Sequence, residues 1–260
     1  MMKTEREARD EVIDVCQRMH SKGYVAATDG NVSVRLGEDR ILTTPSGLPK
    51  GSLRAEQLIV VDMSGNPVYS RFSALTGVRG AQAPLGSEDQ RPSTELRMHL
   101  CVYRERPDVS AVVHAHPPIS VAFTVAGLPL PGDFLPEVIV TLGEIPTAPY
   151  ATPGTEAVPA SIRNLIRTCD ALLLAHHGSL TVGKDALEAY LKLEKVEHAA
   201  TVALASHLLG TVRPLPPEEV SRLSLRRLGL PVVPRAEGAS PCAGCLECQE
   251  PSLTSRPRPW

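Results

Sequence analysis

Two stretches place histidines where an apolar run ends: VVHAHPP, residues 112–118, and LLLAHHGS, residues 172–179. On a strand, side chains i and i+2 share a face. His114 and His116 would therefore stand side by side, just where Pro117 and Pro118 stop the strand. Such a pair can be two satisfied polar residues, a pH-sensitive patch or two ligands of one ion. In the second stretch, His176 and His177 point to opposite faces unless the strand has bent. Histidines from two strand ends can make a three-nitrogen site with an open position, the catalytic arrangement of zinc. Spacing alone does not say that the two ends meet.

A third stretch, PSTEL at 92–96, puts Glu95 in the first turn of a predicted helix. Ser93 and Thr94 bring hydroxyls beside the helix N-terminal amides, where an anion can sit, although capping is the commoner reason for such residues. TDGN (28–31) and TPSG (44–47) are turns rich in backbone N–H and hydroxyl groups that could cradle a phosphate, or plain turns.

These groups need a frame. The periodicity predicts a helix from Thr4 to about Lys22, with Thr4 and Glu7 at capping-box spacing. Strands follow at 32–36, after Arg40 and within QLIVVD. A helix runs from Pro92, strands cover 109–116 and ALLLAHHG, and a helix covers about 160–168. Asp185 opens a long helix, with Glu188 three residues on, that ends before Gly210. A short helix is expected near 217–228. Residues 127–154 are rich in Pro and Gly around the β-branched run VIVTL. Residues 70–91 show no period, as in long functional loops. The expected class is α/β, a single domain with a helix-flanked sheet: a catalytic domain over 1–212, then an extension over 213–260 that is mostly irregular.

The chain has 260 residues, formal charge −2 and 3% aromatics. Neither a polyanion-binding charge nor base-stacking aromatics are present, so nucleic acid is not an expected partner. No apolar run is long enough for a membrane span, and MMKTEREARDEV has no signal-peptide core; the expected place is the cytoplasm. Cys16, Cys101 and Cys169 read as small buried residues. Cys242, Cys245 and Cys248 form C-x-x-C-x-x-C without a nearby fourth ligand, so a flexible tail is the plainer reading than a metal site.

Taken together, GNVSVR (30–35), TPSGLP (44–49), PSTELRMH (92–99), AVVHAHPP (111–118), APYATPGT (148–155) and LLLAHHG (172–178) resemble the class II aldolase and adducin family. The blocks appear in family order over roughly residues 5–210. The resemblance implies a mostly antiparallel, nine-stranded sheet flanked by helices, and a homotetramer with active sites at subunit interfaces. It implies Zn2+ held by His114, His116 and His177, with His176 a neighbour. Mn2+ and Co2+ also suit three imidazoles. Glu95 corresponds to the general acid/base of the aldolase branch; the epimerases carry Asp there. Gly30, Asn31, Ser46, Gly47, Ser93 and Thr94 correspond to phosphate contacts.

The activity implied is aldol cleavage of a ketose phosphate to dihydroxyacetone phosphate and an aldehyde, through a zinc-stabilised enediolate. One departure concerns the aldehyde half. No tyrosine lies between Tyr103 and Tyr150 or after Tyr190, and Glu137 stands in FLPEVIV. The alternatives are a metal-dependent decarboxylase of a hydroxylated acid, an epimerase, the family's dehydratase branch, and a non-catalytic adducin-like module.

Overall fold

The computed structural model describes residues 3–68 and 91–230. Along the chain, α1 (Glu5–Ser21) precedes β1 (Asn31–Gly37), β2 (Arg40–Thr43) and β3 (Ile59–Val61). Next come α2 (Leu96–Glu105), β4 (Ala111–Ala115), α3 (Pro118–Val125), α4 (Pro136–Thr141) and β5 (Thr147–Ala148). The remainder is α5 (Ala157–Ile166), β6 (Ala171–Leu174), β7 (Gly178–Gly183), α6 (Ala186–Leu209) and α7 (Pro217–Arg227). The expected 70–91 loop, apart from Arg91, and the cysteine-rich tail lie outside the described residues.

The strands form one sheet in the order β3-β2-β1-β4-β7-β6-β5. Every pairing is antiparallel except β5 with β6. The nine strands implied by the resemblance are therefore seven among the described residues, in a mixed sheet. One reason is visible in the middle segment. Pro118 and Pro136 open the helices α3 and α4, their fixed φ presetting a first helical turn that costs no intrahelical bond. The run VIVTL is consequently helical through Thr141, despite its β-branched residues. Burial of Val138, Ile139 and Leu142 outweighs the weak local preference for strand.

Both faces of the sheet are covered, which explains the near-continuous apolar strands. Alternate residues part to opposite sides. Val32, Val34, Ala111, Val113 and Ala115 pack with α1 and the start of α6. Val112, Leu172, Leu174, Leu180 and Val182 pack with α2 and α5. His114 has the parity of Val112, so it emerges on the α2 side, paired across the ladder with Asn31 of β1 and Leu180 of β7.

The caps act as the sequence implies. Thr4 Oγ1 accepts from Glu7 N–H while Glu7 Oε2 accepts from Thr4 N–H, and Asp185 Oδ1 accepts from Glu188 N–H. Among the described residues no helix is long and apolar enough to cross a membrane.

Candidate metal centre

His114, the last residue but one of β4, is fully buried, and its Nδ1 lies 2.8 Å from the Ser179 carbonyl. A ring nitrogen can meet a carbonyl only as N–H, so Nδ1 donates and Nε2 turns inward. His116 follows two residues on; its Nδ1 lies 3.5 Å from Asp29 Oδ2, again leaving Nε2 to face inward. The Nε2 atoms of His114 and His116 stand 3.1 Å apart.

The second strand end does meet the first. His176 adopts φ +55°, a left-handed conformation that bends the chain after β6. Its N–H donates to Thr124 Oγ1 of α3. The bend turns His177 back toward the other two rings, with centroids 4.9 and 5.0 Å from those of His114 and His116. His176 is left beside Tyr150 instead.

This close approach depends on Gly178. A Cβ there would lie 2.5 Å from the Ala115 carbonyl oxygen and 2.7 Å from His116 Cδ2.

Glu95 completes the cluster from the N-terminus of α2. Its Oε1 lies 2.9 Å from His177 Nε2 and its Oε2 lies 3.2 Å from His114 Nε2. One donor atom from each of Glu95, His114, His116 and His177 lies within 4.8 Å of the others. Burial alone would raise the Glu95 pKa, but the charges and hydrogen bonds of His114 and His177 outweigh it and hold the carboxyl well below its usual range. For His114, burial lowers the pKa, and Glu95 together with the Ser179 carbonyl reverses that, for a net rise. His116 is pushed down to about 4 by burial and by the two neighbouring imidazoles.

Three inward Nε2 atoms and a carboxylate are borderline to hard donors, a set that suits zinc and similar divalent ions. Two of the rings already have their outer nitrogens facing oxygen partners. The residues therefore fit a metal.

The anion-site candidates gather at the same end of α2. Asn31 Nδ2 donates to Glu95 Oε2 at 2.9 Å and to Ser93 Oγ at 3.3 Å, and Ser93 Oγ also accepts from Glu95 N–H. Gly30, at φ +71°, brings Asn31 in where a Cβ would lie 2.9 Å from the His114 carbonyl oxygen. The 44–47 turn lies against the segment before α2, through the bridge between Pro45 and Pro92 and the bond from Ser46 N–H to the Arg91 carbonyl. Gly47, at φ +75°, faces open space. Thr94 lies next to Gly154. Glu137 lies on α4 and has no part in the histidine cluster.

Three participants escaped the sequence reading: Ser179, Thr124 and Glu197. The Glu197 carboxylate, buried on α6, accepts from Ile119 N–H, Ser120 N–H and Ser120 Oγ–H, and so caps α3 directly after His116. An acidic residue at a helical spacing that places it inward was the available signal.

The chain is similar to known proteins in sequence and in fold. The family pattern of the class II aldolase and adducin N-terminal domain matches residues 10–204. L-fuculose phosphate aldolase of Haemophilus influenzae is 31% identical over 219 residues, covering 84% of this chain and 92% of that protein. The 3-oxo-tetronate 4-phosphate decarboxylase of the same organism is 30% identical over 201 residues, covering 76% and 87%. Among solved structures, an L-fuculose 1-phosphate aldolase superposes with TM-score 0.72 at 26% identity, covering 86% of this chain and 96% of that one. YgbL of Escherichia coli, described with three alternative activities (aldolase, epimerase, decarboxylase), gives 0.74 at 27%, covering 85% and 100%. The chain thus belongs to the class II aldolase and adducin N-terminal domain family.

Proposed function

We propose that this protein is a divalent-metal-dependent lyase that cleaves a ketose phosphate by aldol chemistry, giving dihydroxyacetone phosphate and an aldehyde. The observation that carries the reading is the Glu95 carboxylate lying against three convergent imidazoles. His114, His116 and His177 would hold the metal, preferentially Zn2+. The metal, when bound, supplies Lewis acidity that polarises a carbonyl and stabilises enediolate charge.

The chain's own residues do the rest. Glu95 takes the proton from the substrate carbon in the condensation direction and returns it in cleavage. With its pKa held below the usual carboxylate range by His114 and His177, Glu95 is a weak base for carbon, so position must compensate. Asn31 supplies that position by fixing Oε2, while Oε1 lies free of Asn31 on the His177 side. Gly30, Asn31, Ser46, Gly47, Ser93 and Thr94 form the proposed phosphate cradle. It supplies remote binding energy that orients the reacting carbon. A homotetramer with interface sites and a cytoplasmic location complete the proposal; light scattering measures the former.

A second reading is decarboxylation of a phosphorylated hydroxy-oxo acid. The relative named for that activity is nearly as similar as the aldolase. Decarboxylation yields the same kind of enediolate and asks Glu95 only to deliver a proton. The two readings separate by products. Metal-loaded protein is incubated with dihydroxyacetone phosphate and a panel of aldehydes, and in parallel with 3-oxo-tetronate 4-phosphate. New ketose phosphates support the aldolase; carbon dioxide release without them supports the decarboxylase.

A further inference from the structure

Lys50 is a buried ammonium group that forms no ion pair among the described residues. It opens the short 3-10 turn after TPSGLP, and only 1% of the residue is exposed. Its Nζ donates to the Thr28 carbonyl at 2.8 Å and to the Leu48 carbonyl at 2.9 Å. Thr28 begins the turn that carries Gly30 and Asn31. Leu48 follows the turn that carries Ser46 and Gly47. One buried cation therefore ties together two of the three segments in the proposed phosphate cradle.

Among the described residues no carboxylate lies within ion-pair distance of Nζ. The acids whose fields reach it are Asp29 and Glu95, and both face histidines: Asp29 meets His116, and Glu95 meets His114 and His177. Cys16 also reaches it, but burial pushes that thiol up to about 12, so it stays neutral. Burial works against the ammonium as well, lowering the Lys50 pKa. A buried charge held only by carbonyl dipoles is expensive to keep. A structural cross-link between two carbonyls needs donors but no charge.

We propose that Lys50 is a positioning and specificity residue: its charge, transmitted through the 28–31 and 44–48 turns, is the built-in counter-charge for a dianionic phosphate on the substrate. Lys50 does not touch the ligand. It sets the potential of the cradle and selects phosphorylated over unphosphorylated substrates. The inference rests on the phosphorylated-substrate reading above and adds the group that enforces it.

The test compares metal-loaded wild type with Lys50→Met and Lys50→Arg. Thermal unfolding is followed with and without inorganic phosphate. Acetohydroxamate, a metal chelator without phosphate, is titrated alongside. Expected for Lys50→Met is a melting temperature without phosphate at least equal to wild type, loss of the phosphate-induced rise, phosphate binding weaker by about tenfold or more, and unchanged acetohydroxamate binding. Lys50→Arg restores the rise. Should Lys50→Met not fold, Lys50→Gln, which keeps a neutral donor, takes its place under the same expectations. A variant that is less stable without phosphate yet shows the full phosphate-induced rise makes Lys50 a cross-link only and overturns the inference. If phosphate stabilises not even the wild type, the phosphorylated-substrate reading falls, and the inference with it.

Discussion

The side-chain amide of Asn31 donates to Oε2 of Glu95 at 2.9 Å, joining residues 64 apart in sequence. Asn31 sits on β1 opposite His114, so its amide reaches the carboxylate across the space between the sheet and α2. The proposed base is thereby aimed by a residue that the resemblance associates with phosphate alone. A hydrogen bond to a charged group contributes about 1.5–3 kcal/mol. Asn31→Ala should accordingly lower kcat by about 10–100-fold while the metal content holds. Asn31→Asp places a second negative charge beside Glu95 and raises its pKa, so the acid limb of the pH–kcat profile moves to higher pH. Steady-state kinetics across pH checks both.

Gly178 lets the two histidine-bearing ends approach. Gly178→Ala forces a methyl against the Ala115 carbonyl and His116, so the rings must spread. Metal affinity is expected to fall by about 10–100-fold, the loss usual when ligand orientation is disturbed, and the clash with a backbone carbonyl should lower melting in chelator as well. Competition with a fluorescent metal indicator reads the affinity.

Glu197 fixes the chain directly after His116 by accepting three hydrogen bonds at the start of α3. The far end of the same helix holds His176 through Thr124. Glu197→Ala leaves those donors buried and should cost about 2–4 kcal/mol in denaturant unfolding. Metal affinity should fall with it, because both histidine segments are tied to α3.

His99, on α2 four residues after Glu95, supplies a pH signature that is not that of a proposed ligand. Its Nδ1 meets Ser33 Oγ, its Nε2 has no partner among the described residues, and burial, with the charge of His114, pushes its pKa down to about 3. The folded state keeps this ring neutral, whereas the unfolded chain takes a proton near 6.5. The contribution to stability is complete above that value and declines as pH falls from 6.5 toward 3, by about 2 kcal/mol at pH 5. His99→Gln should reduce the pH slope of unfolding free energy over that window by about one proton. Urea titrations at pH 7 and pH 5 test it.

What the sequence made legible was local. The Thr4–Glu7 box and the Asp185 cap act between neighbours, so residue type and spacing suffice. The i, i+2 spacing of His114 and His116 points both rings to one side, because the chain stays extended one residue past β4. The helices α3 and α4 were hidden because their start signal is a proline, after a strand for α3 and within a Pro/Gly-rich segment for α4, and VIVTL carries a strand preference that only its burial overrides. The left-handed His176, which sends His177 inward, has no local signature of its own. Asn31 with Glu95, Glu197 with Ser120 and Lys50 with Thr28 depend on topology. They became visible only once the folded chain brought α6 against α3 and the loops around β1 against one another.

The central claim is that Glu95 and a metal held by the three histidines together labilise a carbon-bound proton. Metal-loaded protein is incubated with dihydroxyacetone phosphate in deuterated water, and proton NMR follows the hydroxymethyl signal beside Glu95→Gln and a chelated sample. The account predicts stereospecific loss of one proton in the wild type alone, with Glu95→Gln retaining its metal. Exchange at the wild-type rate in Glu95→Gln, or none in wild type with metal confirmed in the site, would contradict it.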